Sequence, residues 1–224
     1  MILISNDKIK NYLDKGDWVK KYLDNVVNNN FICDNWLIES LPKRYIFNLI
    51  YKDLLQHDSN MRVYDVGGGL TSFTNKLLNQ NDYTLVDILA HGGEIKDLKN
   101  NKSNLIKDDW FDVDFKPSEV VIANDLFPNV DQRINFFVEK LIPTTKCIRL
   151  TLTWYSAINF YKTNRIEGDE ILYMNSWLTE DIKMFLSKFS SRIINYKSSI
   201  LDSIPNSVFL NNRNVCYIQI KGDL

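Results

Sequence analysis

The chain has few of the residues that build metal sites or covalent cross-links. It contains only three cysteines, Cys33, Cys147 and Cys216, and two histidines, His57 and His91. The cysteines are odd in number, lie far apart and show none of the paired spacings of a zinc site. We therefore expect no metal and no disulfide framework, and a reducing cytoplasm is the default location for such a protein.

An excess of charge and long apolar runs are also missing. Lysine and arginine number 27 against 28 aspartates and glutamates, so the formal net charge is -1. This balance gives no general attraction to a phosphate backbone, so it does not exclude a nucleic-acid partner but gives no support for one. No run approaches the roughly 18 apolar residues that span a bilayer, and the first residues do not resemble a secretory signal. We expect neither a membrane segment nor a nucleic-acid substrate.

Glycine is scarce before residue 60, where Gly16 is the only one. Apolar residues recur there at helical spacing, so residues 1–60 are predicted to form a helical extension that acts as a lid. From residue 61 onward, short β-type runs alternate with helical segments, and 61–224 is predicted to be one domain. The alternation predicts a parallel sheet covered by helices on both faces. Two successive strands, at 192–201 and 215–220, are predicted to close its edge as an antiparallel hairpin.

Three of the eight glycines, Gly67, Gly68 and Gly69, follow one another directly after a predicted strand. Glycines at such a junction allow a tight turn and the close approach of a ligand. The turn lies at the carboxyl end of its strand, where open α/β sheets bind ligands. Asp87 ends the next predicted strand, and an acid about 20 residues beyond the turn can accept both hydroxyls of an adenosine ribose.

These features fit two cofactors, a nicotinamide dinucleotide and S-adenosylmethionine. Asp65 lies two residues before the first glycine, where its carboxylate would repel the pyrophosphate of a dinucleotide. It suits instead a ligand that carries an ammonium group and no phosphate. Asp65 therefore favours S-adenosylmethionine. An NAD(P)-dependent oxidoreductase remains one alternative, and a catalytically silent scaffold that only binds the cofactor is another.

The segment from Val63 to Ser72 resembles motif I of the class I S-adenosylmethionine-dependent methyltransferases. Further segments are similar to the later motifs of that family, in order, over residues 61–155. The resemblance implies a Rossmann-like α/β fold with a doubly wound, seven-stranded sheet that is mostly parallel and has an antiparallel last strand. It also implies that S-adenosylmethionine is bound by Asp65, Gly67, Gly68, Gly69, Asp87, Ile88, Asp109, Trp110, Asn124 and Leu126.

Within this resemblance, the acidic-aromatic segment after the third strand binds adenine. Asp109 is predicted to accept the adenine amino group, with Asp108 as the alternative, and Trp110 is predicted to cover the ring. The segment from Ala123 to Pro128 is similar to the fourth-strand motif, which lies below the methyl group and borders the acceptor.

The resemblance implies methyl transfer, and the acceptor is predicted to be a small polar molecule, such as a sugar, a nucleotide sugar or a small phosphorylated metabolite. An acceptor oxygen of high pKa needs a general base, and Asp125 and His91 are the candidates. In the segment from Thr153 to Glu170, Lys162 and Arg165 are candidates for binding a phosphate or carboxylate. Aromatic side chains of the extension are candidates for the inner face of the lid: Trp18, Tyr22 and Trp36.

Overall fold

The computed structural model of the protein describes residues 1–26, 31–56, 60–88, 105–158, 160–165 and 170–224. Its strands are β1 (Ile2–Leu3), β2 (Arg62–Val66), β3 (Asp82–Val86), β4 (Leu105–Ile106), β5 (Ser118–Phe127), β6 (Thr145–Trp154), β7 (Phe160–Arg165), β8 (Glu170–Asn175) and β9 (Asn214–Lys221). Its α-helices are α1 (Asn6–Asp14), α2 (Trp18–Asp24), α3 (Ile32–Glu39), α4 (Leu41–Gln56), α5 (Thr74–Gln80), α6 (Ile134–Leu141) and α7 (Thr179–Lys188).

Seven strands form one sheet in the order β1-β9-β6-β5-β2-β3-β4. The pairs β2–β3, β2–β5, β3–β4 and β5–β6 are parallel, and β9 runs antiparallel to β6. The predicted fold class is therefore confirmed. Because the order reverses direction at β2, the carboxyl ends of β2 and β5 border the switch point at which open α/β sheets bind ligands.

Both faces of the sheet are covered, as its parallel strands require. Alternate residues of β2 and β5 point to opposite faces. Val63 and Ile122 pack in a core with helices of the N-terminal extension, whereas Tyr64 and Val121 pack with α6 and α7. The extension thus covers one face of the sheet directly, and its side chains share a core with the strands.

The edge beside β9 differs from the prediction. Its outer neighbour is β1, which comes from the extension that was predicted to be helical. The predicted strand at 192–201 is reduced to a single bridge from Ile193 to Ile220, and Ser198–Leu201 form a short 3₁₀ helix. The predicted closing hairpin is therefore wrong. Two residues are too few to show a strand period, so the sequence pattern could not reveal β1.

Two further observations concern segments outside the main sheet. Strands β7 and β8 pair antiparallel in a separate two-stranded sheet, and β7 contains the predicted anion-binding residues Lys162 and Arg165. The helix predicted near residues 94–98 lies outside the described residues. Among the helices that the structure describes, none has both the length and the apolar character needed to cross a membrane.

Candidate active site

A cavity of about 890 Å³ opens at the carboxyl edge of the parallel strands. The ends of β2, β3, β5 and β6 form its floor, and α3 and α4 of the N-terminal extension form part of its wall. The structure brings to this one cavity every residue predicted to bind the cofactor, together with Asp125. The second predicted base, His91, lies outside the described residues.

The glycine turn is fixed by bonds to the strand beside it. Gly67 and Gly69 have φ angles of 68° and 64°, in the left-handed region that favours glycine. The Gly67 N–H donates to the carbonyl oxygen of Val86 at 2.8 Å. The Gly69 N–H donates to the Asp87 carboxylate at 3.1 Å. Asp87 therefore holds the turn in place, and its side chain also borders the cavity.

The Asp65 carboxylate is buried at the end of β2, with 2% of the residue exposed. The hydroxyls of Tyr51 and Tyr83 both donate to its Oδ2 atom at 2.8 Å. Its Oδ1 atom has no hydrogen-bond partner among the residues that the structure describes. Burial raises the pKa of Asp65 to about 6, while the hydrogen bonds from the two tyrosines oppose that rise. The turn keeps the space beside Oδ1 open, because a Cβ atom on Gly68 would lie 2.5 Å from it.

The predicted adenine-binding pair is held by an arginine that the sequence did not single out. Arg133 Nη2 donates to both carboxylate oxygens of Asp109, at 3.0 and 2.8 Å. Its guanidinium also lies 4.8 Å from the centre of the Trp110 ring. Trp110 is only 4% exposed, donates to Asp131 at 2.7 Å and packs edge-on against Phe137 in the core. A ring so buried offers little surface to a ligand.

Ile88 presents the apolar surface that Trp110 lacks. It follows Asp87 directly, lines the cavity and is 42% exposed. Asp108, the alternative partner for an adenine amino group, also lines the cavity and is exposed. The two residues lie beyond β2 on the β3 and β4 side of the sheet.

A β-bulge shapes the fourth-strand motif. The register between β5 and β6 shifts between Ala123 and Phe127, and Asp125 takes a φ of 58°, which is uncommon for a residue other than glycine. The Thr151 hydroxyl donates to the Asn124 side chain at 3.2 Å and accepts the Asp125 N–H at 2.7 Å. The bulge thus turns Asn124 and Asp125 into the cavity, as bulges beside functional sites often do.

Asp125 meets two cations that the sequence analysis missed. Lys43 Nζ from α4 lies 3.6 Å from its carboxylate, and Arg213 from the turn before β9 donates to it at 3.0 Å. One feature of the sequence could have indicated Arg213. It directly precedes the antiparallel last strand, and such a strand begins at the edge of the sheet where the parallel strands end. Lys162, predicted to hold an anion, is exposed on β7 and is not among the described residues that line the cavity, and the side chain of Arg165 lies outside the description.

The three aromatic residues predicted for the lid have different surroundings. Tyr22 stacks on Phe73 with ring centres 4.2 Å apart, and Trp18 meets Phe73 edge-on at 5.7 Å. These two rings pack the extension against the segment after the glycine turn. Trp36 lines the cavity. The lid itself remains a prediction.

Comparisons with known proteins support the same fold. A scan against protein-family models finds no match, and a search of curated proteins finds none either. Among solved structures, magnesium protoporphyrin IX methyltransferase from Synechocystis PCC 6803 with bound SAM is similar at 13% identity, over 97% of this chain and 98% of that one, with a TM-score of 0.51. The N-terminal domain of EvdMO1, in the presence of SAH and D-fucose, is similar at 10% identity over 94% and 97%, with a TM-score of 0.53. The chain has the class I methyltransferase fold.

Proposed function

We propose that this chain is an S-adenosylmethionine-dependent methyltransferase that acts on a small polar acceptor. One observation carries the proposal most directly: among the described residues, the buried Asp65 Oδ1 atom has no hydrogen-bond partner, and it lies beside an open glycine turn. A buried carboxylate oxygen needs a donor or a positive charge. The ammonium group of S-adenosylmethionine supplies both, whereas the pyrophosphate of a dinucleotide would add a second negative group.

Different residues around the turn bind different groups of the cofactor. Asp65 holds the ammonium group, and the Asp87 carboxylate accepts hydrogen bonds from the ribose hydroxyls. Ile88 covers one face of the adenine ring, and a carboxylate at 108 or 109 accepts from the adenine amino group. The bound cofactor supplies an electrophilic methyl group on a sulfonium. The fold of this chain is consistent with that chemistry, since one structure that shares it is a methyltransferase with bound SAM and another was solved in the presence of SAH.

Positioning is the main contribution that the protein makes to such a reaction, because in-line displacement depends on distance and direction. The bulge in β5 places Asn124 and Asp125 next to the turn, and Tyr155, just after β6, lines the same part of the cavity. Burial raises the pKa of Tyr155, so its hydroxyl stays protonated at neutral pH and orients the acceptor by hydrogen bonding. Trp36 and Tyr173 line the same cavity and offer apolar surface.

The test is transfer of an isotopically labelled methyl group from S-adenosylmethionine to fractionated cell material. We expect label in small polar molecules and none in nucleic acid or protein. Asp87→Ala removes the transfer, and Asp82→Ala, which changes an exposed carboxylate at the opposite end of β3, leaves it intact. Label confined to macromolecules would contradict the acceptor class. Tight cofactor binding without any transfer would favour the silent scaffold.

A further inference from the structure

Two positive side chains share a single carboxylate in the cavity wall. Lys43 Nζ lies 3.6 Å from Asp125 Oδ2, and Arg213 Nη1 donates to Asp125 Oδ1 at 3.0 Å. The three come from α4, from the turn before β9 and from the bulge in β5. Although they lie far apart along the chain, all three line the same cavity.

Aromatic rings also hold the two cations in place. Lys43 Nζ lies 5.0 Å from the centre of the Trp36 ring, and the Arg213 guanidinium lies 4.3 Å from that of Phe209. Such contacts favour a cation over the ring face. The positions of the two cations therefore do not depend on Asp125 alone. A ligand could therefore replace the Asp125 carboxylate as the partner of the two cations while the aromatic rings keep them in position.

The charge of the cavity differs between its two ends. Around the glycine turn and β4, the described charged lining residues are five aspartates and one arginine: Asp65, Asp87, Asp108, Asp109, Asp131 and Arg133. At the bulge there are two cations and one aspartate. The acidic end suits a cofactor with a net positive charge, and the other end holds a surplus positive charge beside aromatic surface.

We infer that the acceptor carries an anionic group, a carboxylate or a phosphate, which Arg213 and Lys43 bind. The planar guanidinium can donate to two oxygens of such a group at once, and the lysine adds a point charge. The cations lie on the β5 side of β2, opposite the β3 side that holds Asp87, so this group and the ribose of the cofactor have separate places. The inference rests on the proposed function and narrows its acceptor class.

Asp125 acts in this arrangement as the counter-ion that keeps the two cations together when no acceptor is bound. The Asn129 side-chain amide donates to Asp125 Oδ1, and the backbone N–H of Asp125 donates to the Thr151 hydroxyl. Arg213 engages the same oxygen. A carboxylate held by so many donors is a positioning residue here, and we do not assign it the role of general base.

The experiment measures binding of two anionic probes, phenyl phosphate and benzoate, to the protein saturated with S-adenosylhomocysteine. Benzyl alcohol is the neutral probe of similar size, and ligand-observed NMR gives each Kd. Arg213→Gln and Lys43→Gln should each weaken anion binding at least fivefold and leave benzyl alcohol unchanged. Asp125→Asn should tighten anion binding at least threefold, because it removes the competing carboxylate while asparagine tolerates a positive φ.

Matched controls change two cations, Arg192 and Lys188, that do not line the cavity. Arg192 pairs with Asp223 at 2.6 Å, and Lys188 pairs with Glu139 at 2.7 Å. Arg192→Gln and Lys188→Gln should bind every probe as the wild type does. The ratio of the two anion affinities tells whether the site prefers a phosphate or a carboxylate.

Three results would overturn the inference. The first is equal anion binding in Arg213→Gln and Arg192→Gln. The second is a benzyl alcohol affinity that falls together with the anion affinity. The third is competition between the anions and S-adenosylhomocysteine, which would assign the cations to the carboxylate of the cofactor. Failure to bind S-adenosylhomocysteine at all is a separate result, which contradicts the proposed function itself.

Discussion

The buried carboxylate of Asp34 on α3 accepts the backbone N–H of Ser72 at 3.0 Å, three residues beyond the last glycine of the turn. The Ser72 hydroxyl donates to the same carboxylate. Tyr22 on α2 adds a hydrogen bond from its hydroxyl to the Ser72 carbonyl oxygen at 3.2 Å. The N-terminal extension therefore holds the chain in place directly after the glycine turn.

Asp34→Ala should lower the free energy of unfolding by about 1–3 kcal/mol, because it leaves the N–H and hydroxyl of Ser72 without their buried acceptor. Urea denaturation measures the change. Asp24→Ala is the control, since it removes an exposed carboxylate that pairs with Lys20 on α2, and surface changes of this kind stay within about 0.5 kcal/mol. Equal effects of the two substitutions would show that the contact between α3 and Ser72 contributes nothing.

Asp65 should make the folded state less stable at neutral pH than at acid pH. Burial raises the pKa of Asp65 to about 6, whereas an unfolded aspartate has a pKa of about 3.9. The folded state therefore binds the proton more tightly, and the contribution of Asp65 to the free energy of unfolding falls as pH rises from about 4 to about 6. Asp65→Asn removes this dependence.

The measurement is denaturation of wild type and Asp65→Asn across this pH range. The free energy of unfolding of the variant, minus that of the wild type, should rise by on the order of 2–3 kcal/mol between about pH 4 and pH 7. A constant difference would show that Asp65 titrates normally. Because only an ionised Asp65 can hold the ammonium group as proposed, wild-type affinity for S-adenosylhomocysteine should also fall below about pH 6, and the variant should bind weakly at every pH.

Gly68→Ala should reduce binding of S-adenosylhomocysteine at least tenfold, which is about 1.4 kcal/mol. The added Cβ atom would lie 2.5 Å from Asp65 Oδ1 and would fill the space that the ammonium group needs. Isothermal titration measures the loss, and circular dichroism checks that the variant folds. The Gly68→Ala protein should keep its sheet, because the crowding involves one side chain. Unchanged affinity would place the ammonium group elsewhere.

Strands β2, β3, β5 and β6 could be predicted from the sequence because short β-type runs alternate with helical segments in that part of the chain. The glycine turn and Asp87 could also be recognised, because each combines a telling residue type with a position at the end of a predicted strand. These are local features. The structure adds that all of them border one cavity.

The rest depends on contacts between distant segments, which no local pattern encodes. Tyr51 and Tyr83 have the spacing of ordinary core residues, yet both donate to Asp65. Lys43 lies in the first turn of a helix and gives no signal of its contact with Asp125. Strand β1 pairs with β9, more than two hundred residues away, so neither segment alone predicts the pair.

Trp110 shows how a correct motif leaves the role of one side chain open. The motif predicts an aromatic residue at this place, and the structure puts one there. The ring, however, packs against Phe137 and under Arg133. Ile88 is the more exposed apolar residue, so we propose that Ile88 rather than Trp110 covers the adenine ring.

The most direct test of the account is isothermal titration of the protein with S-adenosylhomocysteine, with NADH as the competing ligand. We predict a micromolar Kd for S-adenosylhomocysteine and no binding of NADH. Asp87→Ala should weaken binding at least tenfold, or about 1.4 kcal/mol, while Asp82→Ala binds as the wild type does. Binding of NADH in place of S-adenosylhomocysteine would contradict the account and favour an oxidoreductase.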